Sequence, residues 1–291
     1  MSPLLRALRP HQWAKNLILL VPAILAQVWS NAGVPTALLA ALVAFSLAAS
    51  GGYVINDLLD VEADRAHPEK RRRPFAAGEI SRLSGTVLGV ALVLVGIALG
   101  ITAVNPAFGY LVVVYVVVAV AYSAILKQQL LLDVIVLAGL YTLRLLAGGA
   151  ATGVEVSGWL LGFAMFFFLS LAFVKRLTEL SGAVGSGAGA TSGRAYRPED
   201  LDAFRSIGPA AGLLSILVLA LYIASDAVLL LYPHARELWL VCPLLLYWIL
   251  RVWFLALRGE LPYDPVIFAL RDRVSYLVVA AIGAILYLAS T

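Results

Sequence analysis

Three aspartates with helical spacing form the densest group of potentially reactive residues in the sequence. Asp57, Asp60 and Asp64 lie three and four positions apart in the stretch NDLLDVEADR, which begins at Asn56. On one continuous helix, this spacing would place the three carboxylates on a single face within about two turns. Their mutual repulsion calls for a cation, and Mg²⁺ typically binds one or two carboxylates together with oxygens of a substrate phosphate. The sequence therefore predicts a Mg²⁺ site formed by Asp57, Asp60 and Asp64.

A cationic stretch follows the aspartates directly. Residues 67–74 read HPEKRRRP and contain Lys70, Arg71 and Arg73. Some of this charge can be read as the ordinary excess of basic residues on the cytoplasmic side of a membrane protein. Beside a metal ion, however, Arg and Lys can hold phosphate oxygens while a pyrophosphate group departs. We therefore expect Lys70, Arg71 and Arg73 to contact a diphosphate.

Arg144 is a cation within a strongly apolar stretch. It must face the protein interior, because exposure of its charge to lipid would be costly. It lies 11 positions after Asp133, so on a helix the two residues share a face and are about 16 Å apart. A structural contact with a buried carbonyl or acid is one interpretation. We favour a contact with a bound substrate, and expect Lys15, Asn16 and Lys127 to line the same pocket.

Membrane-spanning helices must position these residues. Hydrophobic residues make up 62% of the 291 positions and charged residues only 13%, whereas soluble domains have about 25% charged residues. Apolar runs of the roughly 20 residues needed to cross a bilayer occupy positions 13–29, 35–55, 83–104, 108–126, 130–151, 159–174, 207–231, 238–257 and 274–290. This pattern predicts an all-α, polytopic membrane bundle of nine transmembrane helices, forming a single domain over residues 1–291.

The distribution of basic residues predicts the orientation. If the N-terminus is cytoplasmic, the inner segments contain every Lys and Arg except Arg144, within a span, and Arg236, outside. This asymmetry fits the positive-inside rule, so the sequence pI near 9.2 does not indicate a nucleic-acid partner. We expect a multi-pass protein of the inner (plasma) membrane. Its chemistry would lie in the cytoplasmic connections 56–82, 175–206 and 258–273.

Several motifs carry a resemblance to a known family. NDLLDVEADR followed by HPEKRRRP resembles the first aspartate-rich motif of the UbiA superfamily of intramembrane prenyltransferases, whose nine-helix plan is also similar. Four further stretches resemble its polyprenyl-phosphate (decaprenyl-phosphate) phosphoribosyltransferase branch: RPHQWAKN at 9–16, YSAILK at 122–127, LLDVIVLAGLYTLRLLAGG at 131–149 and KRLTEL at 175–180. The resemblance adds Asn56, Tyr122 and Asp133 to the expected substrate-binding residues.

The sequence departs from the prenyltransferase pattern where a second aspartate-rich motif is expected. That position has Lys175, Arg176 and Glu179, a single acid behind two bases. Such a group suits the binding of a phosphate monoester, with Glu179 assisting the metal or a sugar hydroxyl. A Lys-Arg pair extending toward water from a helix end is the alternative interpretation. We expect the catalytic residues to be Asp57, Asp60, Asp64, Arg71, Lys175 and Glu179.

The resemblance to this branch implies a Mg²⁺-dependent transfer of 5-phosphoribose from phosphoribosyl diphosphate to a polyprenyl phosphate, with release of pyrophosphate. The expected partners are the lipid phosphate, the donor, the bilayer and a second copy of the chain in a homo-oligomer. The main alternative is a prenyltransferase whose allylic cation would face the aromatic residues Phe163, Phe166, Phe167 and Phe168. A non-catalytic lipid carrier is disfavoured, because transporters usually place ionisable groups near the membrane midplane.

Overall fold

The computed structural model describes residues 2–66, 70–185, 194–261 and 264–291, with the backbone alone at Ala227. Within these ranges the protein is helical and contains no strand, which confirms the predicted all-α class. The α-helices are α1 (Pro3–Leu8), α2 (Val21–Leu25), α3 (Val34–Leu59), α4 (Val61–Ala66), α5 (Arg82–Leu99), α6 (Pro106–Ala124), α7 (Leu132–Thr152), α8 (Gly158–Gly185), α9 (Leu201–Ile223), α10 (Asp226–Leu231), α11 (Val241–Leu257), α12 (Pro265–Ala269) and α13 (Arg273–Ser290). Short 3₁₀ segments connect several of them.

Eight helices in the described ranges are long and apolar enough to cross a membrane. Each overlaps one of eight of the nine predicted runs, and the run predicted at 207–231 is divided between α9, which ends at Ile223, and the short helix α10. The ninth, at 13–29, forms a 3₁₀ helix at Pro10–Leu20 followed by the short helix α2. Proline has no backbone N–H to donate, and Pro10 and Pro22 stand near the starts of these two segments. The first run is therefore helical, but shorter and less regular than a full span.

The chain forms two compact units. The first comprises Met1–Ile24, Val28–Val136 and Leu143–Glu155. In this unit α3 and α5 pack with their backbones close together: a Cβ atom on Gly51 would lie 2.6 Å from the carbonyl oxygen of Gly89, and one on Gly96 would lie 2.7 Å from that of Ala44. Small residues at a helix contact allow such an approach. The close packing holds α3, which carries Asp57, against its neighbour.

The second unit comprises Leu25–Gln27, Leu137–Thr142 and Val156–Thr291. Its core joins α8, α9 and α11 through Ser170, which donates a hydrogen bond to the carbonyl of Gly208 (2.8 Å) and accepts one from the indole N–H of Trp253 (2.9 Å). An aromatic stack also runs through this unit. Phe167 stacks on Trp248 with the ring centroids 5.7 Å apart, and Phe168 stacks on Tyr141 at 4.8 Å.

Candidate active site

Two buried aspartates share one arginine in the first unit. Asp57 lies in the last turn of α3 and Asp64 in α4, and each is at most 4% exposed. Nη1 of Arg73 lies 3.2 Å from Oδ1 of Asp57 and 2.7 Å from Oδ2 of Asp64. Nη2 of Arg9 lies 2.5 Å from the same Asp57 oxygen. The end of α3 therefore carries a compact group of two carboxylates and two guanidiniums.

Asp60 faces a different cation. Helix α3 ends at Leu59 and α4 begins at Val61, and Asp60 between them has φ −94° and ψ 3°. The backbone N–H of Asp60 donates to the carbonyl of Asn56, while its Oδ1 lies 2.5 Å from Nζ of Lys127. The expectation that all three aspartates converge on one continuous helical face is thus corrected: only Asp57 and Asp64 meet at a common partner. The described ranges contain no group of three or more His, Cys, Asp or Glu side chains placed to hold a metal.

The electrostatics of Asp64 reflect this setting. Burial raises the pKa of the Asp64 carboxyl, the nearby Arg73 opposes the increase, and the negative charge of Asp57 adds to it. Lys70 also acts to lower this pKa. Nearby cations favour the ionised form of a poorly solvated carboxylate. Here burial outweighs them, and the pKa of Asp64 lies above its ordinary value of 3.8.

The basic stretch after the aspartates divides into contacting and exposed residues. Arg73 makes the contacts just described, and Lys70 begins a 3₁₀ turn, Lys70–Arg72, close enough to influence Asp64. Arg71 lies in the same turn and is exposed. The remaining residues of the predicted motif, 67–69, lie outside the described ranges. Lys70 and Arg73 thus lie near the carboxylates, while Arg71 between them is exposed.

Arg144 lies in the interior of the first unit, 4% exposed, as its position within a span requires. Its Nε donates to Oδ1 of Asn16 (3.0 Å) and its Nη2 to the hydroxyl of Tyr115 (2.8 Å). The guanidinium also lies over the rings of Tyr115 and Phe45, 4.7 and 5.4 Å from their centroids. Lys15 is buried as well. The structure therefore brings Arg144 and Asn16 together, as the sequence suggested, and adds two aromatic rings.

Two other predicted residues contact each other. The hydroxyl of Tyr122, near the end of α6, donates to Oδ1 of Asp133 in the first turn of α7, at 2.8 Å. Asp133 is fully buried. Lys127 lies in the loop between these two residues. Tyr122, Lys127 and Asp133 are thus parts of one connection in the first unit.

The predicted residues of KRLTEL lie on α8 in the second unit. Arg176, 1% exposed, pairs with Glu179 one turn later at 2.5 Å. Glu179 also pairs with Arg194 at 3.2 Å, and Nζ of Lys175 lies 3.9 Å from Oδ2 of Asp264. Two basic residues, Arg176 and Arg194, thus pair with Glu179, while Lys175 lies beside a second acid, Asp264. Residues 186–193 and 262–263 of these two connections lie outside the described ranges.

Two arginines of these clusters, Arg9 and Arg194, were not among the site residues predicted from the sequence. Arg9 stands in the RPHQWAKN stretch, ahead of Pro10, but nothing in the sequence paired it with Asp57. Arg194 follows a Gly/Ser/Ala-rich stretch, and only the fold brings it to Glu179. The sequence signal for Arg9 was its position as a cation shortly before the first apolar run.

Comparison with known proteins supplies the family. The model of the UbiA prenyltransferase family matches residues 19–271. The uncharacterized protein y4nM of Sinorhizobium fredii is 37% identical over 282 residues, which cover 96% of this chain and 54% of that protein. The nodulation protein NoeC of Azorhizobium caulinodans is 33% identical over 95% of this chain and 90% of its own length. This chain thus spans about half the length of the first of these relatives.

A third relative is more specific in its name. The decaprenyl-phosphate phosphoribosyltransferase of Mycolicibacterium smegmatis is 41% identical over 194 residues, covering 64% of this chain and 60% of that enzyme. Among solved structures, a UbiA homolog of Archaeoglobus fulgidus bound to GPP and Mg²⁺ matches with a TM-score of 0.75 at 18% identity, covering 98% of this chain and 100% of that one. This likeness shows a shared fold. With its many apolar helices, its motifs and the match of the family model, the chain is a multi-pass membrane protein that belongs to the UbiA prenyltransferase family of membrane transferases.

Proposed function

We propose that this protein transfers 5-phosphoribose from phosphoribosyl diphosphate to a polyprenyl phosphate and releases pyrophosphate. The main supporting observation is the composition of its two charged clusters. The cluster in the first unit combines carboxylates with arginines, which suits a metal-bound diphosphate. The cluster in the second unit pairs Arg176 and Arg194 with Glu179 and places Lys175 beside Asp264. Its three cations outnumber its two acids, which suits a lipid phosphate.

The residues at the end of α3 fit a Mg²⁺ ion. Asp57 and Asp64 are buried carboxylates that share one cation, and Mg²⁺ usually binds one or two carboxylates plus substrate phosphate oxygens. Asp57 and Asp64, with Asp60 nearby, would hold the ion. When bound, it would neutralise charge that develops on the leaving pyrophosphate. Lys70, Arg71 and Arg73 would hold phosphate oxygens of the same group.

The proposed transfer requires little acid–base catalysis by the protein. An oxygen of the lipid phosphate forms a bond to the anomeric carbon of the ribose, and the bond from that carbon to the diphosphate breaks, its electron pair leaving with pyrophosphate. A phosphate monoester is largely ionised near pH 7, so no strong general base is needed. Lys175 and Arg176 would position the lipid phosphate by charge-assisted hydrogen bonds. Glu179 would assist at a sugar hydroxyl.

A second candidate is transfer of a prenyl group from a prenyl diphosphate. The aromatic stack of Phe163, Phe167, Phe168, Tyr141 and Trp248 in the second unit supports it, since such rings stabilise a cation. The GPP bound to the Archaeoglobus fulgidus homolog supports it also. Against it stands the motif around Lys175, where prenyltransferases are expected to have a second group of aspartates.

One experiment separates the two candidates. The purified protein would be incubated with Mg²⁺ and polyprenyl phosphate, in parallel with phosphoribosyl diphosphate and with a prenyl diphosphate plus an aromatic acceptor. Our proposal expects a product with the mass of polyprenyl-phosphoryl-phosphoribose, together with pyrophosphate. Formation of a prenylated acceptor, without any phosphoribosyl product, would replace phosphoribosyl transfer by the second candidate.

We further propose a cytoplasmic active site in the inner membrane and a homo-oligomeric protein. The distribution of basic residues supports the orientation, because nearly all of them flank the proposed inner ends of the spans. The single-domain organisation predicted from the sequence stays a prediction.

A further inference from the structure

The loop that carries Lys127 is short and strained. It runs over residues 125–131, between α6 and α7, and its backbone bonds to itself from Gln128 N to Ile125 O and from Gln129 N to Leu126 O. Leu131 ends it with a φ of +64°, a conformation that a leucine adopts only at a cost. Contacts with residues outside the loop must therefore stabilise this backbone conformation.

Tyr122 and Asp133 hold the two ends of this loop together. Their hydrogen bond, 2.8 Å long, joins positions 11 residues apart, and Lys127 lies between them. Burial of a carboxylate such as Asp133, which is 0% exposed, is costly unless hydrogen bonds and favourable charges stabilise it. A position in the first turn of α7 contributes such a charge through the helix dipole. Asp133 is therefore a fixed point to which Tyr122, and with it the loop, is attached.

Lys127, within this loop, lies beside Asp60. Its side chain is 13% exposed and lies 2.5 Å from Asp60. Lysine side chains have many rotamers, so an ordered ammonium group requires a backbone that is itself held in place. Three apolar side chains of the loop, Ile125, Leu130 and Leu131, are exposed, as is Leu132 at the start of α7. Since the loop joins two spans at one membrane face, these side chains suit the boundary between lipid headgroups and hydrocarbon.

We infer that Asp133 is a positioning residue, which acts through Tyr122 to fix the 125–131 loop and thereby presents Lys127 to Asp60. This replaces the expectation that Tyr122 and Asp133 contact the substrate directly. The inference rests on the proposed function only in assuming that Lys127 binds a phosphate group of a substrate. Without the hydrogen bond between Tyr122 and Asp133, the loop would become more mobile. The ammonium group of Lys127 would then lie beside Asp60 for a smaller fraction of the time.

A double-mutant cycle tests this dependence on Lys127. Tyr122→Phe and Asp133→Asn should each lower kcat/KM by about tenfold, the order expected for loss of one charge-assisted hydrogen bond. In a Lys127→Ala background the same substitutions should have almost no further effect, since residues that act through one another are not additive. Tyr110→Phe, on the exposed face of α6, and Asp202→Asn, at an exposed position, are matched controls that should leave activity unchanged.

A second measurement does not need the transfer reaction. An amine-reactive reagent, read by mass spectrometry of the peptide that contains Lys127, should label this lysine several times faster in Tyr122→Phe and Asp133→Asn than in the wild type or the controls. Unchanged labelling together with additive effects on turnover would overturn the inference. Faster labelling in a protein that makes no phosphoribosyl product would refute the proposed function and leave the role of Asp133 intact.

Discussion

The guanidinium of Arg9 donates a hydrogen bond to the carboxylate of Asp57 across 2.5 Å, although 48 positions separate the two residues. Arg9 has a φ of +50° and directly precedes the 3₁₀ segment Pro10–Leu20. A left-handed conformation costs a residue other than glycine about 1–2 kcal/mol. The contact with Asp57 thus ties a strained turn near the N-terminus to the end of α3, and Arg9 belongs to the candidate active site.

Replacement of Arg9 tests this assignment. Arg9→Ala should lower kcat/KM by about tenfold or more, because Asp57 loses one of its two cationic partners and a charged hydrogen bond contributes about 1.5–3 kcal/mol. Arg6→Ala is the matched control, since Arg6 pairs with Glu79 at the surface, and it should remain close to wild type. Equal losses in the two variants would indicate a general effect of charge near the N-terminus.

The two buried carboxylates should be the most sensitive positions for metal dependence. Asp57→Asn and Asp64→Asn keep the side-chain shape but remove the charge expected to hold Mg²⁺, so turnover should fall on the order of a hundredfold or more. The Mg²⁺ concentration for half-maximal activity should rise in both variants. Unchanged activity and unchanged Mg²⁺ dependence would exclude these residues as metal ligands. Asp202→Asn serves again as the control.

Arg176 should affect the lipid substrate more than the donor. Arg176→Ala removes a buried cation that pairs with Glu179 at 2.5 Å, and should raise the KM for polyprenyl phosphate by about tenfold. The KM for phosphoribosyl diphosphate should change much less. The variant Arg205→Ala, which removes an exposed ion pair with Asp202, supplies the comparison. A rise in the KM of the donor alone would reverse the assignment of the two charged clusters.

Asp272 should make stability dependent on acidic pH. Burial acts to raise the pKa of its carboxyl, but hydrogen bonds from Arg251 and Ser275 outweigh burial, and the pKa lies below the ordinary value of 3.8. A carboxyl with a lowered folded-state pKa stabilises the protein above its unfolded-state pKa and loses that contribution as pH falls through the folded-state value. The Tm of the wild type should therefore decrease below about pH 4.

The variant Asp272→Asn isolates this contribution. It should have a lower Tm at pH 7, because Arg251 loses two charged hydrogen bonds, at 2.7 and 3.0 Å. Its Tm should approach that of the wild type at strongly acidic pH, where the wild-type carboxyl is protonated. A constant difference between the two proteins at every pH would show that the ionisation of Asp272 is not the cause.

Single cysteines can determine the orientation. In a protein with Cys242 replaced by serine, a cysteine at the exposed position Ser84 should react with a membrane-impermeant reagent only after the membrane is opened. A cysteine at the exposed position Ser30 should react in intact cells. These outcomes follow from a cytoplasmic N-terminus under the positive-inside rule. The opposite pattern would move the proposed active site to the outer face.

Apolar runs predict helices reliably in this chain because the bilayer requires every backbone polar group to be satisfied within the segment that crosses it. Eight of nine predicted runs coincide with helices long and apolar enough to span a membrane. The first run departs from the prediction, because Pro22 falls inside the helical stretch formed by Pro10–Leu20 and Val21–Leu25, where it cannot donate a backbone hydrogen bond, and a count of apolar residues does not include this effect. Arg144 had to be buried on grounds of charge alone, and it is.

Residue types and short spacings in the sequence determined which side chains could carry out chemistry and that the chain is an all-helical membrane protein. Tertiary structure decided how those side chains pair. Asp57 and Asp64 pair with Arg73, whereas Asp60, between α3 and α4, pairs with Lys127, and the spacing of the three aspartates does not reveal this division. Contacts such as Arg9 with Asp57 or Arg194 with Glu179 join distant stretches of chain, and they exist only because helix packing brings those stretches together.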